Sequence, residues 1–148
     1  MIMSLAGPIL VSLATFGGVL ALMGGSMAVY IDLPSLVIVP VMPLAYMTAA
    51  YGMRATGAAF RVPLRAGADA VSLKVAQAFW TDAAKALWLF GIVGALSGGV
   101  QVLARLDDPE KVGVNLAVAM LTMLYAAFFN LIIAAPYAAL ARKRIASL

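Results

Sequence analysis

The stretch Leu116–Leu140, "LAVAMLTMLYAAFFNLIIAAPYAAL", constrains this chain more than any other part of it. It is a run of 25 nearly unbroken apolar residues with no charge. About 20 such residues cross a bilayer core of roughly 30 Å as a helix. Within lipid only a helix or a closed barrel satisfies its own backbone polar groups. The run lacks the alternation of a barrel strand, so it predicts a transmembrane helix. Thr122, Tyr125, Asn130 and Pro136 interrupt it. A helix facing only lipid has no need of them.

The rest of the chain has the same character. Of 148 residues, 65% are hydrophobic and only 11% are charged, where a soluble domain carries roughly 25% charged residues. The chain is therefore expected to be an all-α integral membrane protein. It has no cysteine, which excludes disulfides, thiol nucleophiles and thiolate metal sites. It has no histidine, the commonest general base and metal ligand. No acidic residue lies deep in an apolar run. These absences argue against an enzyme, and no cofactor or metal is expected. The net charge of +4 comes without a basic groove interleaved with aromatics, so nucleic acid is not indicated.

Four spans are expected in a single membrane domain over residues 1–148, at about 5–23, 35–53, 85–104 and 113–139. No Lys or Arg precedes the first run, so it reads as a retained helix and not as a cleaved leader. Gly24, Gly25 and Ser26 are expected to break the first helix. Asp32 is the sole charge before Arg54, and Pro34 suits the first turn of the second helix. Pro40 and Pro43 should kink that helix or loosen its hydrogen bonds. In the polar segment 54–84, "ADAVSLKVAQAFWTD" reads as a short amphipathic helix. Val71, Val75 and Phe79 would share one face, and Trp80 would sit at headgroup level. Gly91, Gly94 and Gly98 form a small-residue stripe in the third span, of the kind that lets membrane helices approach closely. "RLDDPEKVG" is a solvated turn with helix-capping acids.

Charge sets the orientation. Arg54, Arg61, Arg65, Lys74 and Lys85 lie in or next to the middle segment, and Arg142, Lys143 and Arg144 lie in the tail. The positive-inside rule places both, with the two termini, in the cytoplasm. Asp32, Asp107, Asp108 and Glu110 would then form an outer rim, and Lys85 with Arg142, Lys143 and Arg144 an inner one.

The polar residues of the fourth span admit two readings. The Thr122 hydroxyl can bond to a carbonyl one turn back, or it can line a pore and replace part of an ion's hydration shell. Tyr125 is expected on a similar face. Asn130 should face another helix or water. Proton transfer across a bilayer calls for a titratable group near mid-membrane, and these spans supply none. A proton-conducting role would require an acid from a partner.

Two blocks add a resemblance. "GGSMAVYIDLPSLVIV" resembles the segment joining the first two spans of the flagellar stator A-subunit family, MotA and PomA. "LFGIVGALSGGVQVLARLDDPEKVGVNLAVAMLTMLYAAFFNLIIAAPYAALARK" is similar to that family's third and fourth spans with their outer loop. More broadly, the chain resembles the MotA/TolQ/ExbB proton-channel superfamily. The resemblance implies a pentameric ring in the bacterial inner membrane whose third and fourth helices line a central pore. The pore would hold a dimer of single-span MotB/ExbD/TolR-like partners, each with a membrane aspartate. Ion flow would then drive rotation or other mechanical work. Thr122, with Tyr125 and Asn130, would lie along the ion path. Sodium-type members carry threonines where this chain has Ile92 and Met123, so the resemblance implies protons rather than sodium. The middle segment is much shorter than the family's rotor-engaging one. Val41 and Met42 stand where the family has Gly-Gly, and Lys85 stands where it has a proline. The alternatives are a non-conducting scaffold for a partner, and a small secondary transporter, which would need a polar site of its own at mid-membrane.

Overall fold

The computed structural model describes residues 2–22 and 27–148. Gly24, Gly25 and Ser26 lie outside these residues. The described chain is all helical: α1 (Ile2–Leu22), a short 3-10 turn (Met27–Tyr30), α2 (Leu33–Tyr51), α3 (Met53–Arg61), α4 (Ala70–Leu103), α5 (Pro109–Phe129), a π-helical turn (Asn130–Ala134) and α6 (Ala135–Ile145). Four stretches are long and apolar enough to cross a membrane: Leu5–Leu22, Ala28–Tyr51, Ala70–Leu103 and Pro109–Ile145.

Acidic residues start three of the helices. The Asp32 carboxylate accepts from Ser35 N–H at 3.1 Å, and Pro34 follows in the first turn of α2. Asp69 accepts from Ser72 N–H at 2.9 Å to start α4, and Asp108 accepts from Lys111 N–H at 3.3 Å to start α5. Each satisfies an N–H that a helix start leaves without a partner. α2 continues through Pro40 and Pro43. Those prolines withhold N–H groups from the carbonyls of Leu36 and Val39. In the fourth span Pro136 withholds one from Ile132 and crowds it. The helix widens just ahead of it, and Ala135 N–H reaches back five residues to Asn130 O.

The middle segment departs from expectation. The amphipathic stretch and the third span are one helix of 34 residues, about 51 Å long at 1.5 Å per residue. The buried ridge of its first half is Leu73, Ala76, Phe79, Trp80, Ala83 and Leu87, whereas Val71 and Val75 are exposed. Of the face an isolated surface helix would bury, only Phe79 is buried. The segment instead packs against α3 and α6 and buries the side that meets them. Trp80 is buried, and its indole N–H donates to Ala59 O at 2.9 Å. It serves the protein interior, not the headgroup layer. The short amphipathic helix of the structure is α3, which buries Thr56 and Ala59 and exposes Arg54 and Arg61.

α4 and α5 form an antiparallel hairpin whose backbones approach closely. A Cβ added at Gly98 would lie 2.6 Å from Ala119 Cβ, and one at Gly91 would lie 2.5 Å from Ala126 Cβ. One at Gly94 would meet Thr122 Cγ2 at 3.1 Å. At Gly91 and Gly98 these contacts leave no room for even a methyl group, while at Gly94 the Thr122 side chain would have to give slightly. At the end remote from the α4–α5 turn a second core gathers Met47, Phe79, Trp80, Ala83, Ala86, Ala134 and Ala138. Phe60 meets Trp80 edge-to-face and Tyr137 lies tilted against it, with ring centroids 4.7 Å away in each case. α1 lies at the edge, with Phe16 against Phe128 at 4.7 Å.

Gly98→Ala is expected to destabilise the fold by about 1–3 kcal/mol, since the added methyl must push the hairpin apart. Gly99, one position on, has nothing within 4 Å of an added Cβ. Gly99→Ala should leave stability unchanged or slightly raised. Thermal unfolding of both variants in one detergent checks the contrast.

Candidate functional site

The candidate site is the middle of the α4–α5 hairpin and the residues bridging it to α2. Thr122 is 9% exposed. Its hydroxyl reaches two carbonyls of its own helix, Ala119 O at 2.8 Å and Val118 O at 3.0 Å. Its methyl faces Gly94 across the seam. The hydroxyl proton is thus held within α5, and only oxygen lone pairs remain to offer a passing ion. Met123 is half-buried beside Gly91, while Ile92 is exposed on the other side of α4.

Tyr125 is turned elsewhere. It is 5% exposed and packs with Val39 and Ala126. Its hydroxyl donates to Tyr30 O at 2.6 Å and accepts from Asp32 N–H at 2.8 Å. Thr122 and Tyr125 are only three residues apart, yet one faces α4 and the other clamps the α1–α2 connection. Asn130 sits further along, where Nδ2 donates to Ala84 O on α4 at 3.3 Å. Thr122, Tyr125, Asn130, Met123 and Ile92 therefore do not converge on one lumen within a single chain.

The rims also separate. Asp107 and Glu110 are exposed at the hairpin tip, and the Asp108 carboxylate pairs with Lys111. Hydrogen bonds from the Lys111 ammonium and main-chain N–H hold the Asp108 carboxyl below the usual carboxylate range. That contribution to stability is complete above about pH 4 and is lost as pH falls through the depressed value. Asp32 is held by a tyrosine 16 residues into α5, more than two helical turns below the tip, so it does not share that rim. Arg144, expected on an inner rim, is not a free charge. One guanidinium nitrogen donates to the carbonyls of Val62 at 3.3 Å, Pro63 at 3.0 Å and Arg65 at 2.6 Å, tying α6 to the turn before α4. Arg142 and Lys143 remain exposed.

One polar cluster escaped the sequence reading. The Tyr51 hydroxyl donates to the Asp82 carboxylate at 2.7 Å, and Lys85 pairs with the other Asp82 oxygen at 3.0 Å. This links the inner ends of α2 and α4 beside a groove of about 480 Å³ lined mainly by Tyr46, Met47, Leu89 and Phe90. The i, i+3 spacing of Asp82 and Lys85 was visible in the sequence. The approach of Tyr51 was not.

The fold and site define an all-helical, multi-pass membrane protein built on a tight hairpin. Comparison with known proteins makes this more specific. The chain is 39% identical over 61 residues to "Motility protein A" of Aquifex aeolicus (strain VF5), covering 41% of this chain and 24% of that protein. It is 42% identical over 57 residues to "Motility protein A" of Cereibacter sphaeroides, covering 38% of this chain and 21% of that protein. No family model matches. The chain thus spans less than a quarter of the length of these curated relatives, and the MotA-like resemblance read from the sequence is borne out over the matched stretch.

Tyr125→Phe removes both hydrogen bonds of the clamp at a cost of about 1–3 kcal/mol. Amide exchange should accelerate over residues 28–34 while α4 keeps its protection. Hydrogen-exchange mass spectrometry reads both regions in one experiment.

Proposed function

We propose that this chain is the ring-forming, ion-conducting subunit of a stator-like motor in the bacterial inner membrane. Similarity to motility protein A is the observation that carries this reading. In the proposed complex five copies surround a dimer of single-span partners, and each partner contributes a membrane aspartate. The ion is the proton rather than sodium, and its flow drives rotation or other mechanical work. Two features of the chain support the reading. Residues 86–104 and 112–141 carry no charge, so the α4–α5 hairpin supplies no titrating acid of its own, and this reading assigns that acid to the partner. The hairpin also presents an unpartnered apolar surface, with Leu89, Val93, Leu96 and Val100 on α4 and Val114 and Met120 on α5.

Within this reading the glycine seam makes each hairpin a rigid stave of the ring. Thr122 sets the spacing at its middle and offers oxygen lone pairs. Asp32, clamped by Tyr125, fixes where α2 enters. The short connection between α2 and α4 leaves little to engage a large cytoplasmic rotor.

Native mass spectrometry of the complex, purified from its source membrane through a C-terminal tag, is the test. Five copies with two copies of a single-span, aspartate-bearing partner are expected. A homo-oligomer of another number with no such partner would sink the proposal. Thr122→Ala should alter ion flux per reconstituted complex and leave assembly intact. If assembly is lost while flux per surviving complex is unchanged, Thr122 is a packing residue only.

A further inference from the structure

We propose that α3 lies along the inner membrane surface and that Arg54, Arg61 and Arg65 together bind the phosphate-bearing headgroup of an anionic phospholipid. The first support is placement. Tyr51, just before α3, bonds Asp82 and lies against Phe79. Near the other end of α3, Ala59 O accepts from Trp80, and the Phe60 ring packs on Trp80. Tyr51, two residues ahead of α3, and Ala59 and Phe60 near its other end thus both meet α4 within the single turn 79–82, although the nine-residue helix between them is about 13 Å long. A helix running alongside α4 would meet it at positions far apart along its length, so α3 must cross it steeply.

The level of that crossing follows from charge. On the inner side Arg54, Asp82 and Arg142 are the nearest charges to the spans that carry them, apart from Lys85, which is paired with Asp82. Tyr51 and Asp82 therefore mark the inner edge of the apolar slab. Gly52 permits the corner. Its φ of 84° and ψ of 153° are open to glycine alone without strain, and they swing the chain from α2 into the surface plane.

The second support is chemistry. Arg54, Gly57, Ala58 and Arg61 fall at i, i+3, i+4 and i+7 on the outward face of α3. With Met53, Val62 and Arg65 they line an open, shallow hollow of about 490 Å³ that has no acidic residue in its lining. Among the described residues the only ion pairs are Lys85–Asp82 and Lys111–Asp108, so no carboxylate neutralises these three guanidinium groups. Small residues form the floor, which leaves room for a phosphate between planar donors that suit its oxygens. Met53 is 81% exposed at the same hollow, an apolar contact suited to the first carbons of an acyl chain. Surface arginines at this depth attract anionic headgroups additively.

The test uses the full chain in a neutral maltoside detergent, with any partner that co-purifies. Dioctanoyl phosphatidylglycerol, dioctanoyl phosphatidylcholine and inorganic phosphate are titrated separately, and adducts are read by native mass spectrometry. Phosphatidylglycerol should bind at least tenfold more tightly than phosphatidylcholine, and its binding should weaken as salt is added. The R54Q/R61Q/R65Q variant should weaken it on the order of 100-fold, roughly fivefold per arginine. R105Q/K111Q, which removes two positive charges at the opposite end, should leave it unchanged. Should the triple Gln variant lose its helical circular dichroism, R54K/R61K/R65K decides instead, with binding expected between wild type and none. Equal binding by wild type and the triple variants, equal loss in R105Q/K111Q, or displacement of the lipid by equimolar phosphate would each overturn the proposal.

Discussion

The close contact of α4 and α5 at Gly91, Gly94 and Gly98 is the constraint on which the rest of the structure depends. In lipid there is no hydrophobic force to hold one helix against another, so association rests on surface fit and interhelical hydrogen bonds. Glycine opposite alanine lets two backbones approach until the alanine methyl fills the place of the missing glycine side chain, as Ala119 does at Gly98 and Ala126 at Gly91. This sets the antiparallel register of the hairpin. Once that register holds, Asn130 reaches Ala84 O, and Trp80 meets Tyr137 further in.

The polar residues of the spans are placed by that hairpin, each for a different use. Thr122 returns its hydroxyl proton to its own helix and presents a methyl to the seam. Tyr125 uses its ring as core and its hydroxyl as a clamp on the start of α2. Asn130 braces the π-helical turn against α4. The buried polar side chains of the described residues all have partners, as a bilayer environment requires. A ring of such chains around a charged partner would present lone pairs and shape to an ion, with the charge supplied by the partner.

The inner end follows a different logic from the middle. There the seam gives way to a large aromatic cluster, Phe60, Phe79, Trp80 and Tyr137, and α3 is bent across it through Gly52. Arg144 ties the last helix to the turn before α4 through three carbonyls. The result is a compact end of the bundle on which Arg54, Arg61 and Arg65 are exposed. A stator-like reading of the hairpin and a lipid-anchored reading of that end are compatible, since a ring that transmits force must be held at a fixed depth.

The amino-acid sequence by itself determined the class of protein and the number of its long apolar helices. Charge-free runs of this length have no other way to satisfy their backbone in lipid. It also marked capping acids ahead of α5, because an acid before Pro at a helix start is a local signal; the cap at Asp32 came only with the structure. The glycine stripe likewise announced a close helix contact. Tertiary structure alone decided which surfaces meet. Helical periodicity ranks faces by polarity, and in "ADAVSLKVAQAFW" several faces are almost equally apolar. Only packing against α3 and α6 chose the Leu73–Ala76–Trp80 side and left Val71 and Val75 outside. The partners of Tyr125, Arg144 and Tyr51 lie 95, 79 and 31 residues away in the chain, beyond any local spacing rule. Their contacts exist because the hairpin brings those segments together.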